Sequence, residues 1–189
     1  MAAGKSDNRE VEIKLALRNT NEGRRRLRGA GFRVWKRRIF EANVLVDSAD
    51  GRLRNSGCLL RVREAGKQGV LTFKGQAVPG KHKDREELEV KVTDPARLAQ
   101  ILARLGFQEV FRYEKYRTEY KKKGDSGVAT LDETPIGSYL ELEGAPAWID
   151  RMARKMGFRE SDYITASYYA LYVDYCREHS QEPANLTFK

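Results

Sequence analysis

The chain has 189 residues, 36 of them Lys or Arg against 27 Asp or Glu, for a formal net charge of +9 and a sequence pI near 9.6. With 40% apolar residues it is too hydrophobic for a disordered chain, yet no run reaches the roughly 18 apolar residues of a membrane span, and the polar start Met1 to Glu10 offers no signal-peptide core. Two cysteines, Cys58 and Cys176, make neither a disulfide framework nor a metal knuckle, so one cytoplasmic domain over 1–180 with a flexible tail at 181–189 is expected.

In chain order, the alternating stretch Glu10 to Leu17 predicts a strand, and Thr20 to Ala30 a helix stopped at Gly31. Arg33 to Asp47 is a long strand rich in β-branched and aromatic residues, closed by the turn-like Ser48-Ala49-Asp50-Gly51. Strands follow at Cys58–Glu64, Val70–Gly75 and Arg85–Val92, the last two joined by the loop Gln76–Lys83. Asp94-Pro95 opens a helix through Leu98, Ile101, Leu102 and Leu105 that stops at Gly106. Glu109–Lys121, Gly127–Asp132 and Ser138–Glu143 are strands separated by Gly-rich turns. Helices at Pro146–Met156 and Thr165–His179 end the domain. The class is α+β: about eight strands, mostly joined as hairpins, with flanking helices, and eight antiparallel strands is a number that closes into a barrel.

The strands carry an unusual alternation. Glu10, Glu12 and Lys14 share one face of the first strand, with Val11, Ile13 and Leu15 on the other. Arg61 and Arg63 share a face, as do Arg85, Glu87, Glu89 and Lys91, then Lys115, Arg117 and Glu119, and finally Glu141 and Glu143; Lys74 and Asp132 lie at strand ends. One such strand is ordinary solvated sheet. A whole set, nearly free of Ser, Thr and Gln, points to a barrel with its charged face inward. Acids about 7 Å apart along a strand can share a hard divalent cation, and Arg and Lys hold phosphate oxygens. A metal–polyphosphate site is therefore expected.

The same residues, in order, resemble the CYTH superfamily, the triphosphate tunnel metalloenzymes. The motifs are E-x-E-x-K (Glu10 to Lys14), L-R-x-R (Leu60 to Arg63), T-x-K-G (Thr72 to Gly75), R-x-E-x-E (Arg85 to Glu89), K-x-R (Lys115 to Arg117), L-D-E (Leu131 to Glu133) and G-x-x-x-E-x-E (Gly137 to Glu143). The resemblance spans about residues 9–175 and implies an eight-stranded antiparallel tunnel holding a triphosphate with one or two Mg²⁺ or Mn²⁺ ions. By position it implies Glu10, Glu12, Asp132, Glu141 and Glu143 as metal ligands, with Glu87 and Glu89 beside a second metal. Lys14, Arg61, Arg63, Lys74, Arg85, Lys91, Lys115 and Arg117 are then phosphate-binding, and Glu10, Glu12, Lys14, Arg61 and Arg63 form the catalytic set. Vertebrate thiamine triphosphatases carry Trp just before L-R-x-R, where this chain has Leu59, which counts against a thiamine pocket. Hydrolysis of inorganic or organic triphosphate is the leading expectation. Class IV adenylyl cyclase activity on ATP and a non-catalytic polyphosphate- or nucleotide-binding role stand as alternatives. The expected partner is a small triphosphate, with neither membrane nor nucleic acid; a homodimer is plausible for such barrels but has no signature here.

Other features read as bland. The basic clusters Arg24-Arg25-Arg26, Lys36-Arg37-Arg38 and Lys121-Lys122-Lys123 fit solvated surface. His82 and His179 lack metal-ligand neighbours and are expected to be exposed, and Tyr168, Tyr169, Tyr172 and Tyr175 recur at helical spacing as packing for the last helix, which could also cap a tunnel mouth.

Overall fold

In the computed structural model, which describes residues 8–66 and 68–189, eight antiparallel strands close into a barrel in the order β1-β5-β4-β3-β2-β6-β7-β8. The stretch 1–7, part of the polar start read above, lies outside the described residues. The strands are β1 (Arg9–Leu17), β2 (Arg33–Ser48), β3 (Leu59–Ala65), β4 (Gln68–Lys74), β5 (Lys83–Val92), β6 (Phe107–Lys121), β7 (Val128–Thr134) and β8 (Gly137–Glu143). Five connections join neighbours. The other two cross over through α1 (Thr20–Ala30) and α3 (Pro95–Arg104), as the amphipathic stretches between strands require. A short α2 (Arg52–Asn55), α4 (Pro146–Lys155), a 3₁₀ turn at Glu160–Asp162 and α5 (Tyr168–Glu178) complete the chain.

The apolar half of the alternation faces outward, under helices. Ile13, Leu15, Leu131, Leu140 and Leu142 are fully buried against Leu27 of α1 and Trp148, Ile149 and Met152 of α4. Each such aliphatic side chain contributes about 1.5–3 kcal/mol, so the main core lies outside the barrel and leaves the lumen to charge. A second cluster, Val46, Val62 and Leu102, packs beneath α3. The helix ends follow their sequence signals. Asn19 Oδ1 accepts the Glu22 N–H at 3.0 Å while Glu22 accepts from the Arg18 N–H at 2.9 Å, and Gly31 ends α1 at φ 93°, a left-handed turn suited to glycine. Gly127 serves packing instead: a Cβ there would lie 2.6 Å from the Trp148 ring.

Four details differ from expectation. Helix α2 forms just after the expected turn, in a stretch where no element was expected, and buried Asp47 accepts the backbone N–H groups of Ser48, Leu53 and Arg54 at 2.8–2.9 Å. The last helix begins at Tyr168 rather than Thr165, since Ser167 caps it by accepting from the Ala170 N–H. His82 is buried rather than exposed: the loop before β5 folds onto α4, and the His82 ring lies 2.7 Å from Asp150 Oδ1. His179 is exposed as expected. The tail expected to be loose is pinned at Leu186, which is buried and bridges Tyr113 through backbone bonds to Arg112 and Glu114.

One part of the barrel wall overshoots the rest. Strand β3 pairs with β2 only from Glu41 onward, so Arg33 to Phe40 is bonded on one edge alone, to β6, through two register shifts. The result is a free edge of β2 at one mouth, where β6 stays bonded to β7 on its other side, from Tyr116 opposite Glu133 to Lys121 opposite Val128.

Candidate active site: a charged tunnel through the barrel

The lumenal half of each strand's alternation converges on one cavity of about 1250 Å³. Register dictates which charges meet. Glu10 lies opposite Arg85, and Glu12 is flanked by Lys83 on β5 and Glu143 on β8. Lys14 faces Glu141, Lys74 faces Glu87, and Glu41 faces Lys115. Every site residue expected from the sequence lines this cavity except Asp132, which sits just behind the wall; Lys91 stands exposed at its rim.

One wall is rich in acid. Lys74 Nζ lies 2.5 Å from Glu10 and 3.1 Å from Glu87, and Lys14 lies 3.1 Å from Glu12 and 3.4 Å from Glu141. Against the cost of burial, Lys14 holds the Glu12 carboxyl down to about 2. Burial and then the nearby acids act the other way on Glu143, raising it to about 7. Glu143 lies exposed at the end of β8, where it lines the cavity with Glu10 and Glu12 nearby. Glu87, raised by its burial and by Glu10, also sits at about 7. Two carboxylates opposed in register, Glu12 and Glu143, destabilise a sheet unless something positive joins them.

The opposite wall is rich in base. Arg63 Nε donates to Asn43 Oδ1 at 3.1 Å, and Arg61 reaches the Tyr113 hydroxyl at 3.4 Å. Burial and the neighbouring Arg61 push the Arg63 guanidinium down, against the pull of Glu41 at 3.5 Å. The donors Asn43 Nδ2 and Arg61 Nε are buried there without a hydrogen-bond partner, so this wall has capacity for further oxygen ligand atoms, while Glu41 Oε2 lies 3.5 Å from Arg63 Nε. Lys83, buried and near Lys14, is lowered to about 8.

Asp132 is fully buried, and its two oxygens accept from Lys115 Nζ (2.7 Å), Arg117 Nε and Nη2 (2.8 and 2.6 Å) and the Tyr168 hydroxyl (2.8 Å). Arg117 also pairs with Glu141. In this arrangement Asp132 buttresses the lumenal cations and leaves no oxygen aimed at an ion.

Residues that sequence reasoning missed are Glu41, Asn43, Thr72, Lys83, Tyr113 and Tyr168. Several carried the same period-2 signal, since Glu41-x-Asn43 and Tyr113-x-Lys115 continue lumenal faces. Tyr168 gave no such signal. Its ring lies 5.4 Å from Lys14 Nζ and 5.1 Å from Lys115 Nζ, so α5 contributes to the site as well as to packing.

Among the described residues no three His, Cys, Asp or Glu side chains already form a metal cage; the acids are closed on Lys and Arg instead. The oxygen-only donors Glu10, Glu12, Glu141 and Glu143 nevertheless suit a hard divalent cation, and Glu143, which lies opposite Glu12 and forms no ion pair among the described residues, is the group such an ion would satisfy.

The chain matches the CYTH domain over residues 8–168. It belongs to the CYTH family. A Methanocaldococcus jannaschii protein provisionally named an adenylate cyclase is 34% identical over 134 residues, covering 71% of this chain and 75% of that one. A Pyrococcus horikoshii structure superposes with TM-score 0.73 at 24% identity, covering 88% and 99% of the two chains. A Hippeastrum protein, provisionally named an adenylyl cyclase and described as revealing a dominant triphosphatase activity, superposes with TM-score 0.64 at 18% identity over 92% and 97%. At these identities the structures establish the shared tunnel fold. Among the described residues of this CYTH chain, no helix is long and apolar enough to cross a membrane.

Proposed function

We propose that this CYTH chain is a divalent-metal-dependent enzyme that binds a triphosphate in its tunnel and hydrolyses it. The observation that carries the reading is the polarity of the lumen: an acid wall on which Glu143, opposite Glu12, has no ion-pair partner among the described residues faces a base wall with the unpaired donors Asn43 Nδ2 and Arg61 Nε. A metal–triphosphate complex presents that same pair of charges. Arg61, Arg63, Lys115 and Arg117 would bind the phosphate oxygens on the base wall, and Lys14, Lys74, Lys83 and Arg85 on the other, with Arg able to bind bidentately. Asn43 and Arg61 offer unpaired N–H donors at a position fixed by neighbouring strands, which favours stabilisation of charge as it develops on the phosphates. Mg²⁺ or Mn²⁺ held by Glu10, Glu12, Glu141 and Glu143, with Glu87 and Glu89 nearby, would supply charge neutralisation and Lewis acidity.

A second reading is cyclisation of ATP, supported by the name of the M. jannaschii relative and by the tunnel end lined with Leu45, Leu59, Phe111 and Tyr169, which suits an organic group. The dominant triphosphatase activity described for the Hippeastrum protein supports hydrolysis. The test incubates the protein with Mg²⁺ or Mn²⁺ and, separately, inorganic triphosphate, ATP and thiamine triphosphate, and assays orthophosphate, pyrophosphate and cyclic AMP. Orthophosphate is expected. Pyrophosphate with cyclic AMP from ATP selects the cyclase, and binding without turnover removes the enzyme reading.

A further inference from the structure

The lumen accounts for little of the surplus charge. Eleven Lys or Arg and nine Asp or Glu line it, whereas the chain carries +9. Much of the rest gathers at the free edge of β2. The exposed arginines of α1, the run Lys36-Arg37-Arg38 on β2 and the run Lys121-Lys122-Lys123 at the end of β6 come from distant stretches of sequence, yet they meet. Arg24 and Arg38 both reach Glu133, at 4.0 and 2.8 Å, and Arg33 pairs in register with Lys121. Glu119, Glu133 and Asp125 pair with members of the group. Arg25, Arg28, Arg33, Arg37, Lys121 and Lys123 form no ion pair with any acid among the described residues.

Aromatic surface is set among these cations. Trp35 is 59% exposed with Lys121 Nζ 4.6 Å from its ring centre. Arg38 lies 3.5 Å over the Tyr116 ring, which packs edge-on against exposed Phe40. Aromatic rings and basic clusters therefore stand side by side at this edge. Cations beside free aromatic faces form the surface that tracks a phosphate backbone and stacks its bases.

We propose that the free edge of β2, with the end of β6 beside it, binds single-stranded nucleic acid, with phosphates on the unpaired cations and a base stacked on Trp35. Neighbouring residues Val34 and Trp35 are both exposed on an extended strand, so no single apolar face is presented as a bilayer would need. A second copy would set cation against cation. The proposal does not rest on the tunnel's activity.

The test is fluorescence anisotropy of labelled U20 and dT20 with the full chain from 50 to 200 mM NaCl. Six neutralised phosphates predict a log–log salt slope of about −4 for single strands, a loss of roughly 300-fold over that range. Trp35→Ala should weaken binding about 5- to 150-fold, the worth of one stacked base. Arg33→Gln with Arg37→Gln should flatten the slope by about 1.4. Trp148 is buried, so quenching of tryptophan emission on binding reports Trp35. The proposal is overturned by absence of binding at 50 mM NaCl, by a slope near zero, or by unchanged affinity in Trp35→Ala. Tighter binding to phosphatidylserine vesicles than to either oligonucleotide overturns it too. So does displacement by inorganic triphosphate where NaCl of equal ionic strength displaces nothing.

Discussion

Replacing Asp132 by Asn tests whether that carboxylate is a buttress or an ion ligand. Asp132 is completely buried and accepts from Lys115, from two nitrogens of Arg117 and from the Tyr168 hydroxyl. Asn keeps the shape but has a single acceptor oxygen, and its amide would point N–H groups at two buried cations. Removing one partner of a buried pair costs about 3–5 kcal/mol because the remaining charge is left uncompensated. For a chain of this size each kcal/mol is worth about 2–4 °C, so the melting temperature in metal-free buffer should fall by about 6–20 °C. Differential scanning calorimetry with and without Mg²⁺ reads both halves of the argument. As a buttress, Asp132→Asn lowers the metal-free transition and leaves the Mg²⁺-induced increment intact. A wild-type metal-free transition together with a lost Mg²⁺ increment would refute the buttress and restore the role that family resemblance assigns to this position.

Three further outcomes follow from particular contacts. Lys83 sits at about 8 because it is buried and near Lys14, so affinity for the anionic substrate should fall as pH rises through 8 and Lys83→Arg should abolish that limb. The sign for stability is opposite: between about 8 and the ordinary lysine value of about 10.4 the unfolded chain binds the extra proton, so the ligand-free protein gains stability as pH rises, and parallel movement of affinity and stability contradicts the assignment. Leu186→Ala should cost about 2–5 kcal/mol by emptying a buried position beside Tyr113; an unchanged urea midpoint would show that the tail does not dock in solution. Gly127→Ala should cost about 1–3 kcal/mol, because the new methyl must displace the Trp148 ring, and near-ultraviolet circular dichroism should register the tilt; full stability with an unaltered spectrum contradicts that packing.

The lumenal strands were legible in the sequence because one physical constraint writes them twice: Glu10-x-Glu12-x-Lys14 needs its charges inward at the same period that Ile13 and Leu15 need burial outward. Barrel closure repeats that constraint on every strand, so the fold and most of the site arrive together. Residues outside the code were lost for equally physical reasons. Tyr168 enters the lumen from a helix end, and its Asp132 partner is 36 residues away. The fate of His82 depends on how a Gly/Pro-containing loop folds onto α4, which no local periodicity records. Asp47 read only as the last residue of a strand, and the short helix whose N–H groups it accepts shows why it is buried.

The paired charges of the lumen also bear on how a substrate would enter. Lys74 with Glu10, Lys14 with Glu12, and Arg117 with both Asp132 and Glu141 already satisfy one another, and a triphosphate alone would have to break such pairs and leave the acids buried without counter-charge. A divalent cation alone would do the same to the bases. Arriving together, the two re-pair both walls, so their binding should be strongly and reciprocally coupled. Asp132 stands outside this exchange: it holds Lys115 and Arg117 in place while their other partners change. The tunnel is then a set of ion pairs waiting for a second, better-matched set, which explains how a cavity with nearly balanced charge can still select a highly charged ligand.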